Sequence, residues 1–564
     1  MNINAELLQF FLYKKLIKKK DVEEILSETA RLNTTVREYL LAKEYTTEAT
    51  ELEALAEYYC MPYIEVDMLE IDKQLFDMYS LDYMKKNKFL PVSIDRNGVL
   101  LIAVGKPLDF DAMSAAASAY VGPVDYVLVP PVQIDRYIDS IAAVIATSTA
   151  LNDLNAAGND KLFAGRNKNG EQEAVSSADD VVNNPSVRLV DSIIKEAIPY
   201  RASDIHIEPF EKKVRVRYRI DGDLQERASF PIEAYSAICA RLKIMSGLNI
   251  AERRIPQDGR INMRIGGKEY DFRVSSLPSV YGEKFVIRIL DKTSFRFTRT
   301  DLGFTDEENI VIDKMLMRPH GIILLTGPTG CGKSTTLYSF LKEVNVPTVN
   351  IITVEDPVEY TMAGVTQTQV NAKANMTFAA ALRSILRQDP DIIMIGEIRD
   401  EETAEIAVRA AITGHLVFST LHTNDAPGAI TRLEDMKVPD YLVADALVGV
   451  IAQRLVKRLC PACKKRGKAT AKEMELLGLT EPISIFRPQG CQFCNNTGYK
   501  GRAAVHEIMY MNEEMKASVA QTKNLEHLRE QAANNGMVTL WNSCRSLVLK
   551  GQTSIQELMS LNIE

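Results

Sequence analysis

The spacing of apolar residues divides this chain into three stretches of different character. In the first, Phe11-Leu12-Tyr13-Lys14-Lys15-Leu16-Ile17 is followed by Val22-Glu23-Glu24-Ile25-Leu26. The arrangement is echoed by Val36-Arg37-Glu38-Tyr39-Leu40-Leu41 and then Leu52-Glu53-Ala54-Leu55. Both copies gather apolar residues on one helical face, a weak internal repeat. Phe89 to Val104 predicts two strands joined at Arg96-Asn97-Gly98. We expect residues 1–145 to form an interaction module with no chemistry of its own. The second stretch, 146–184, is rich in Ala, Ser, Asn, Asp and Gly and predicts a flexible linker that leaves the first module free to swing.

Periodicity returns at Pro185. Val187 to Ile198 has a helical period, whereas Ser203-Asp204-Ile205-His206-Ile207-Glu208 and Val214 to Ile220 alternate like half-buried strands. Two further strands are predicted around Ile261–Val274 and Lys284–Leu290, giving a small α/β domain with a mostly antiparallel sheet. Arginines stand on these strands at 215, 217, 219, 273 and 288, either as a solvated outer face or as a functional set. Beyond residue 300 short apolar runs alternate with helical segments, the pattern of a parallel sheet with crossover helices. The runs are Ile322–Leu325, Val349–Val354 and Asp391–Ile395, and the last is apolar enough to be covered on both faces.

The first of these runs enters Gly327-Pro328-Thr329-Gly330-Cys331-Gly332-Lys333-Ser334, which fits G-x-x-x-x-G-K-S. Glycines let the loop backbone curl so that its N–H groups cradle phosphates. Lys333 reaches the β- and γ-phosphates, and the Ser334 hydroxyl ligates magnesium. The following helix, with Thr335 in its first turn, adds the positive end of its dipole. We therefore expect a nucleoside triphosphate site. The second run ends in Glu355-Asp356-Pro357-Val358-Glu359 and the third in Gly396-Glu397-Ile398-Arg399-Asp400. Acids at strand carboxyl ends suit magnesium coordination and activation of a water, and either Glu355 or Glu359 could position that water. His415 and His422 flank one strand, Thr413 to Thr423, a placement that favours phosphate sensing over a purely structural role.

Length, charge and cysteines narrow the picture. At 564 residues the chain is too long for one core. A net charge of −8 gives nucleic acid no general attraction. No apolar run approaches the ~18–20 residues of a membrane span, and the lysines after a short apolar start are in the wrong order for a signal peptide, so we expect a cytoplasmic protein. Cys460-Pro461-Ala462-Cys463 and Cys491-Gln492-Phe493-Cys494 predict a structural zinc site in which four thiolates leave no position for substrate. The basic residues nearby, from Lys457 to Lys468, read as a solvated face, with an anionic membrane or acidic partner as the alternative.

In this order, these blocks resemble those of the secretion-superfamily ATPases, in particular the type IV pilus assembly (extension) ATPases and type II secretion ATPases. Ala202-Ser203-Asp204-Ile205-His206-Ile207-Glu208-Pro209, Pro256-Gln257-Asp258-Gly259-Arg260 and Thr497-Gly498-Tyr499-Lys500-Gly501-Arg502 add to the match, which runs from about Asn184 to the C-terminus. The resemblance implies a multidomain α/β chain. A RecA-like P-loop ATPase domain (301–456) would follow a small α/β, PAS-like domain (185–300) and an N-terminal α+β module. A tetracysteine zinc subdomain (457–500) and C-terminal helices (501–564) would come after it. It also implies ATP, Mg²⁺ and Zn²⁺, with Glu359 activating water, Glu397 acting at magnesium and the γ-phosphate, and His415 and His422 as the histidine-box positions. Arg273 and Arg288 match arginines that the smaller domain brings to the nucleotide in this family.

The implied assembly is a homohexamer working an inner-membrane platform protein, with other cytoplasmic-ring components as further partners. Pilus assembly is the first expectation and type II secretion the alternative, since both share every motif. Retraction motors usually lack the tetracysteine loop and the long N-terminal module. Some N-terminal modules of the family bind cyclic di-GMP through an R-L-G-x-x-L-V-x-x-G pattern. The glycines of that pattern are missing from Tyr13–Ile17 and Thr35–Leu41, so docking rather than dinucleotide binding is expected. A motor acting directly on DNA fits poorly with the acidic composition and the lack of basic stretches interleaved with aromatics. A scaffold that binds ATP without turnover fits poorly with intact Lys333, Glu359 and Glu397.

Overall fold

The computed structural model describes Leu8 to Leu561 apart from residues 9, 15–16, 18–20, 33–35, 37–38, 41–47, 67–68, 70, 107–109, 157–184, 292–297, 482, 495 and 522–523. Two compact units emerge, one of residues 1–261 and 272–289, the other of 262–271 and 290–564. Among the described residues no helix is long and apolar enough to cross a membrane.

The first unit opens with helices, including Val22–Leu32 and Glu48–Tyr58. Their repeated apolar positions meet in one cluster of Leu8, Phe11, Ile17, Ile25, Val36, Tyr39, Leu40, Ala54 and Leu55, as the repeat predicts. The hairpin forms from Phe89–Ile94 and Leu100–Val104, where the Asp95 carboxylate accepts the amides of Asn97 and Val99 to close the turn. A third strand, Val124–Leu128, pairs parallel to Leu100–Val104. Its few half-buried residues gave no alternation long enough to read.

The expected linker from residue 146 begins inside a helix, Pro131–Ala156, which packs against the helix Pro185–Ala197. Thr147 is buried there and hydrogen-bonds the side chain of Glu196. The rest of the expected linker, 157–184, lies outside the described residues.

Next along the chain is a six-stranded sheet in the order Asp223–Pro231, Lys213–Ile220, Asp204–Pro209, Gly282–Asp291, Lys268–Ser279, Gln257–Ile265, most of it in this first unit. The strand expected over Ile261–Val274 is instead a hairpin, turned at Gly266-Gly267, both with positive φ. Alternation along Asp204–Pro209 puts Ile205 and Ile207 in the core and Asp204, His206 and Glu208 on the other face. Arg215, Arg217, Arg219 and Arg288 pair there. Arg217 and Lys284 reach Glu208 at 2.8 and 2.9 Å, with Arg215 at 3.2 Å. Arg288 and Arg219 reach Asp204 at 3.1 and 3.7 Å. Burial pushes the Glu208 carboxyl up, but the hydrogen bonds from Arg217 and Lys284 outweigh it and hold the group at about 2. These arginines form an ion-paired face, a different thing from a solvated one.

The second unit is built on a seven-stranded sheet in the order Val365–Gln369, Ile351–Glu355, Ile392–Ile395, Leu416–Leu421, Gly321–Thr326, Leu447–Leu459, Tyr499–Tyr510. The first six strands run parallel and the last is antiparallel. Four of them, Gly321–Thr326, Ile351–Glu355, Ile392–Ile395 and Leu416–Leu421, are buried along their whole length, since helices cover both faces. The fold is mixed α/β and RecA-like, as expected. The long antiparallel pair was not foreseen. Tyr499–Tyr510 crosses the expected boundary at 501, and the cysteine-bearing segment is an excursion between the two paired strands.

Candidate nucleotide site and metal centre

The inner strand Gly321–Thr326 releases the chain into the glycine turn, and the helix Lys333–Val344 starts directly after Gly332. Gly327, Gly330 and Gly332 have φ of 145°, 81° and 92°, a region that disfavours a side chain. At Gly327 space is also missing, because a Cβ would lie 2.4 Å from the Gln453 carbonyl oxygen. The Lys333 amine donates to the carbonyls of Gly327 and Pro328 at 2.7 and 3.1 Å. Burial lowers its pKa; Cys331 and Glu397 oppose that shift and Arg454 adds to it. Ser334, one residue on, is exposed at the helix start.

Two residues that no local pattern announced brace this loop. The buried Gln453, on the neighbouring strand Leu447–Leu459, donates to the Cys331 carbonyl at 2.7 Å and accepts from Thr336 Oγ1 at 2.8 Å. Arg454 lies beside Gly327 and reaches Asn424. Both follow Ala452, which is paired with Thr326, so the strand register alone delivers them to the loop.

Of the expected acids, Glu397 is the one whose charge acts on Lys333. It pairs with Arg399 at 2.6 Å, lies 3.4 Å from His422 Nε2 and is near enough to Lys333 to act on its charge. His422 follows the strand Leu416–Leu421, where Thr423 bonds Thr326 through its amide and hydroxyl at 2.8 and 2.6 Å. His415 is not part of this group. It precedes the same strand, roughly 20 Å of chain away, with Nδ1 against the Ala410 carbonyl at 3.0 Å. The two histidines were read as one pair, and the parallel strand between them sends them to opposite ends of the sheet.

Glu355 and Glu359 differ in their surroundings. Glu355 is buried and its oxygens take the phenol of Tyr338, Thr353 Oγ1 at 2.6 Å and Gln367 Nε2 at 3.1 Å. Glu359 is half-buried beyond the strand end. Arg273 and Arg288 stand on neighbouring strands of the first unit.

Cys460, Cys463, Cys491 and Cys494 bring four sulfurs within 4.8 Å of one another. Three of the separations are 3.8 Å. A tetrahedral zinc at about 2.3 Å from each sulfur sets neighbouring sulfurs about 3.8 Å apart. The donor set therefore fits the ion. Backbone N–H groups of Cys491 and Gly498 point at Cys494 Sγ at 3.2 and 3.1 Å, the second-sphere donors a thiolate requires.

A RecA-like sheet carrying a glycine phosphate loop, with acids and a histidine at neighbouring strand ends, defines a nucleotide-driven enzyme class. Residues 179–560 match the model of the type II/IV secretion system protein family, and the chain belongs to that family of secretion ATPases. Residues 59–145 match the MshEN domain. Type II secretion system protein E of Pseudomonas aeruginosa is 48% identical over 67% of this chain and 76% of its own length. The type IV pilus assembly ATPase PilB of Myxococcus xanthus is 38% identical over 99% of both chains. The solved ATPase DotB of Legionella pneumophila shares the fold, with a TM-score of 0.51, 20% identity, and coverage of 66% of this chain and 95% of that one.

Proposed function

We propose that this chain hydrolyses ATP to drive type IV pilus assembly, as a cytoplasmic homohexamer acting on pilin through an inner-membrane platform protein. The observation that carries the reading is likeness to a pilus assembly ATPase along 99% of both chains, N-terminal module included. A second reading, the type II secretion ATPase, is favoured by the higher identity, 48%, within the ATPase region.

The backbone amides of Gly327 to Thr335 and the Lys333 amine hold the triphosphate. Ser334 and Glu397 hold magnesium, which supplies charge neutralisation on the phosphates. Glu359 orients the attacking water, because Glu355 is committed to Tyr338 and Thr353. His422, beside Glu397, reports on the γ-phosphate. Arg273 and Arg288 complete the site in the assembled ring. An arginine supplied from a separate domain contributes about 10³–10⁵ in rate and ties turnover to domain position. The four cysteines hold a structural zinc.

The test is specific ATPase activity across a protein concentration series, with Glu359→Gln and Arg273→Ala beside wild type. Activity should rise with concentration, and both changes should abolish turnover while nucleotide still binds. Flat activity with an indifferent Arg273→Ala would remove the ring-completed site. In cells, deletion should abolish surface pili and leave protein export intact; the reverse result selects type II secretion.

A further inference from the structure

Arg454 combines burial, charge and position in a way that no structural economy explains. It is 6% exposed, on the strand next to the phosphate loop. Its Nη2 donates to the Asn424 carbonyl at 3.3 Å and to Asn424 Oδ1 at 3.2 Å. Its Nη1 is buried without a hydrogen-bond partner and lies 3.1 Å from where a Cβ on Gly327 would be. Among the described residues no carboxylate lies within 4.0 Å of it, and its charge acts on the Lys333 ammonium in the unfavourable sense. Burying an unpaired cation next to a second cation is costly, and an apolar side chain would pack the same strand more cheaply. An arriving polyphosphate is the anion that offsets both charges.

The strand order shows what the guanidinium spans. Gly321–Thr326 lies between Leu416–Leu421 and Leu447–Leu459. Arg454, from the third of these, passes the first glycine after the central strand and reaches the segment after the other one. That segment holds His422 and Thr423, and Thr423 is hydrogen-bonded to Thr326 at the end of the strand Gly321–Thr326.

We infer that Arg454 is a positioning residue for ATP hydrolysis: packed beside the first glycine of the phosphate loop, it straps the segment carrying His422 to the strand Leu447–Leu459. The strap keeps His422 and Glu397 in register with the triphosphate that the loop holds. Its Nη1 is covered by the loop, so it acts through these neighbours and not on the nucleotide directly. The inference rests on the ATPase reading above.

Steady-state ATPase assays on the full chain should compare wild type with Arg454→Gln, Arg454→Lys and Asn424→Ala, with melting temperatures measured alongside. For Arg454→Gln, kcat should fall at least about tenfold with KM within about threefold. Arg454→Lys should not recover it, since an ammonium has the charge without the planar fork. Asn424→Ala removes the Oδ1 acceptor and leaves the carbonyl one, so it should lower kcat about threefold, with the double variant no worse than Arg454→Gln alone.

A raised KM with intact kcat, recovery by lysine, or additive losses would overturn the strap. If Arg454→Gln does not fold, an unchanged kcat in Asn424→Ala overturns it. A wild-type protein without turnover sinks the ATPase reading; an active wild type with an unaffected, folded Arg454→Gln sinks this inference alone.

Discussion

The phenol of Tyr338 donates to the carboxylate of Glu355, a contact that ties the helix after the phosphate loop to the end of a buried strand. Tyr338 is on the helix that follows the phosphate loop, Glu355 at the end of the adjoining strand, and both are buried. Thr353 and Gln367 fill the other carboxylate oxygen. A carboxylate so engaged is a brace between helix and sheet.

Tyr338→Phe should therefore destabilise the second unit by about 1–3 kcal/mol, the cost of leaving a buried acceptor short of its donor. It should leave kcat within a few-fold of wild type. Glu359→Gln should do the opposite, with an unchanged melting temperature and no turnover. Urea unfolding and ATPase assays on the two variants distinguish brace from catalyst. A stable, inactive Tyr338→Phe would contradict the division.

Zinc should be needed by the chain's end as well as by the cysteine excursion itself. Lys464 Nζ donates to the Gly551 carbonyl at 2.9 Å, Thr553 Oγ1 to the Lys457 carbonyl at 2.7 Å, and Tyr499 meets Ser554 at 2.8 Å. Sites of this kind bind zinc with roughly 10–16 kcal/mol, more than so short an excursion gains from its own packing. We expect one zinc per chain by emission spectroscopy. A strong chelator, or Cys491→Ser, should open residues 460–499 to protease and loosen the helices after residue 540. Metal-free protein with unchanged proteolysis would show that the four sulfurs are only neighbours.

How far the sequence reached depends on how local each signal was. The phosphate loop, the acids after two apolar strands and the paired cysteines are contiguous patterns: the glycine turn lies between a strand and a helix, the acids stand at or beyond two strand ends, and the four sulfurs come together. Leu447–Leu459 was harder, because thirteen largely apolar residues fit a buried helix as well as a strand. Its antiparallel partner begins forty residues later, after the cysteine excursion. Gln453 and Arg454 gain their roles only through register with Thr326, which no local pattern encodes. Glu355 and Glu359 looked alike in sequence, and the long-range contact of Tyr338 with Glu355 is not a local signal. His415 was grouped with His422 on spacing, and spacing does not say which end of a strand faces the site.

His506 supplies a pH dependence of known sign. It pairs across the sheet with Gln453, is fully buried, and stacks on Phe304 with ring centroids 3.8 Å apart. The nearest carboxylate oxygen, on Glu308, is 3.9 Å from Nδ1. Burial pushes the imidazole down to about 3. The unfolded chain takes up this proton near pH 6.5, while the folded chain refuses it until about pH 3. The unfolded state thus binds more protons between those values, so stability falls as pH drops from about 6.5 towards about 3 and stops falling below that. The slope approaches about 1.4 kcal/mol per pH unit well below 6.5.

His506→Phe keeps the stack and removes the proton, so its stability should be flatter over that range, and the two proteins should differ more at pH 5 than at pH 7. The chain's sole tryptophan, Trp541, packs against the core of the same unit, and its fluorescence in urea reports the local transition. Parallel pH profiles for the two proteins would mean that the folded state admits the proton after all.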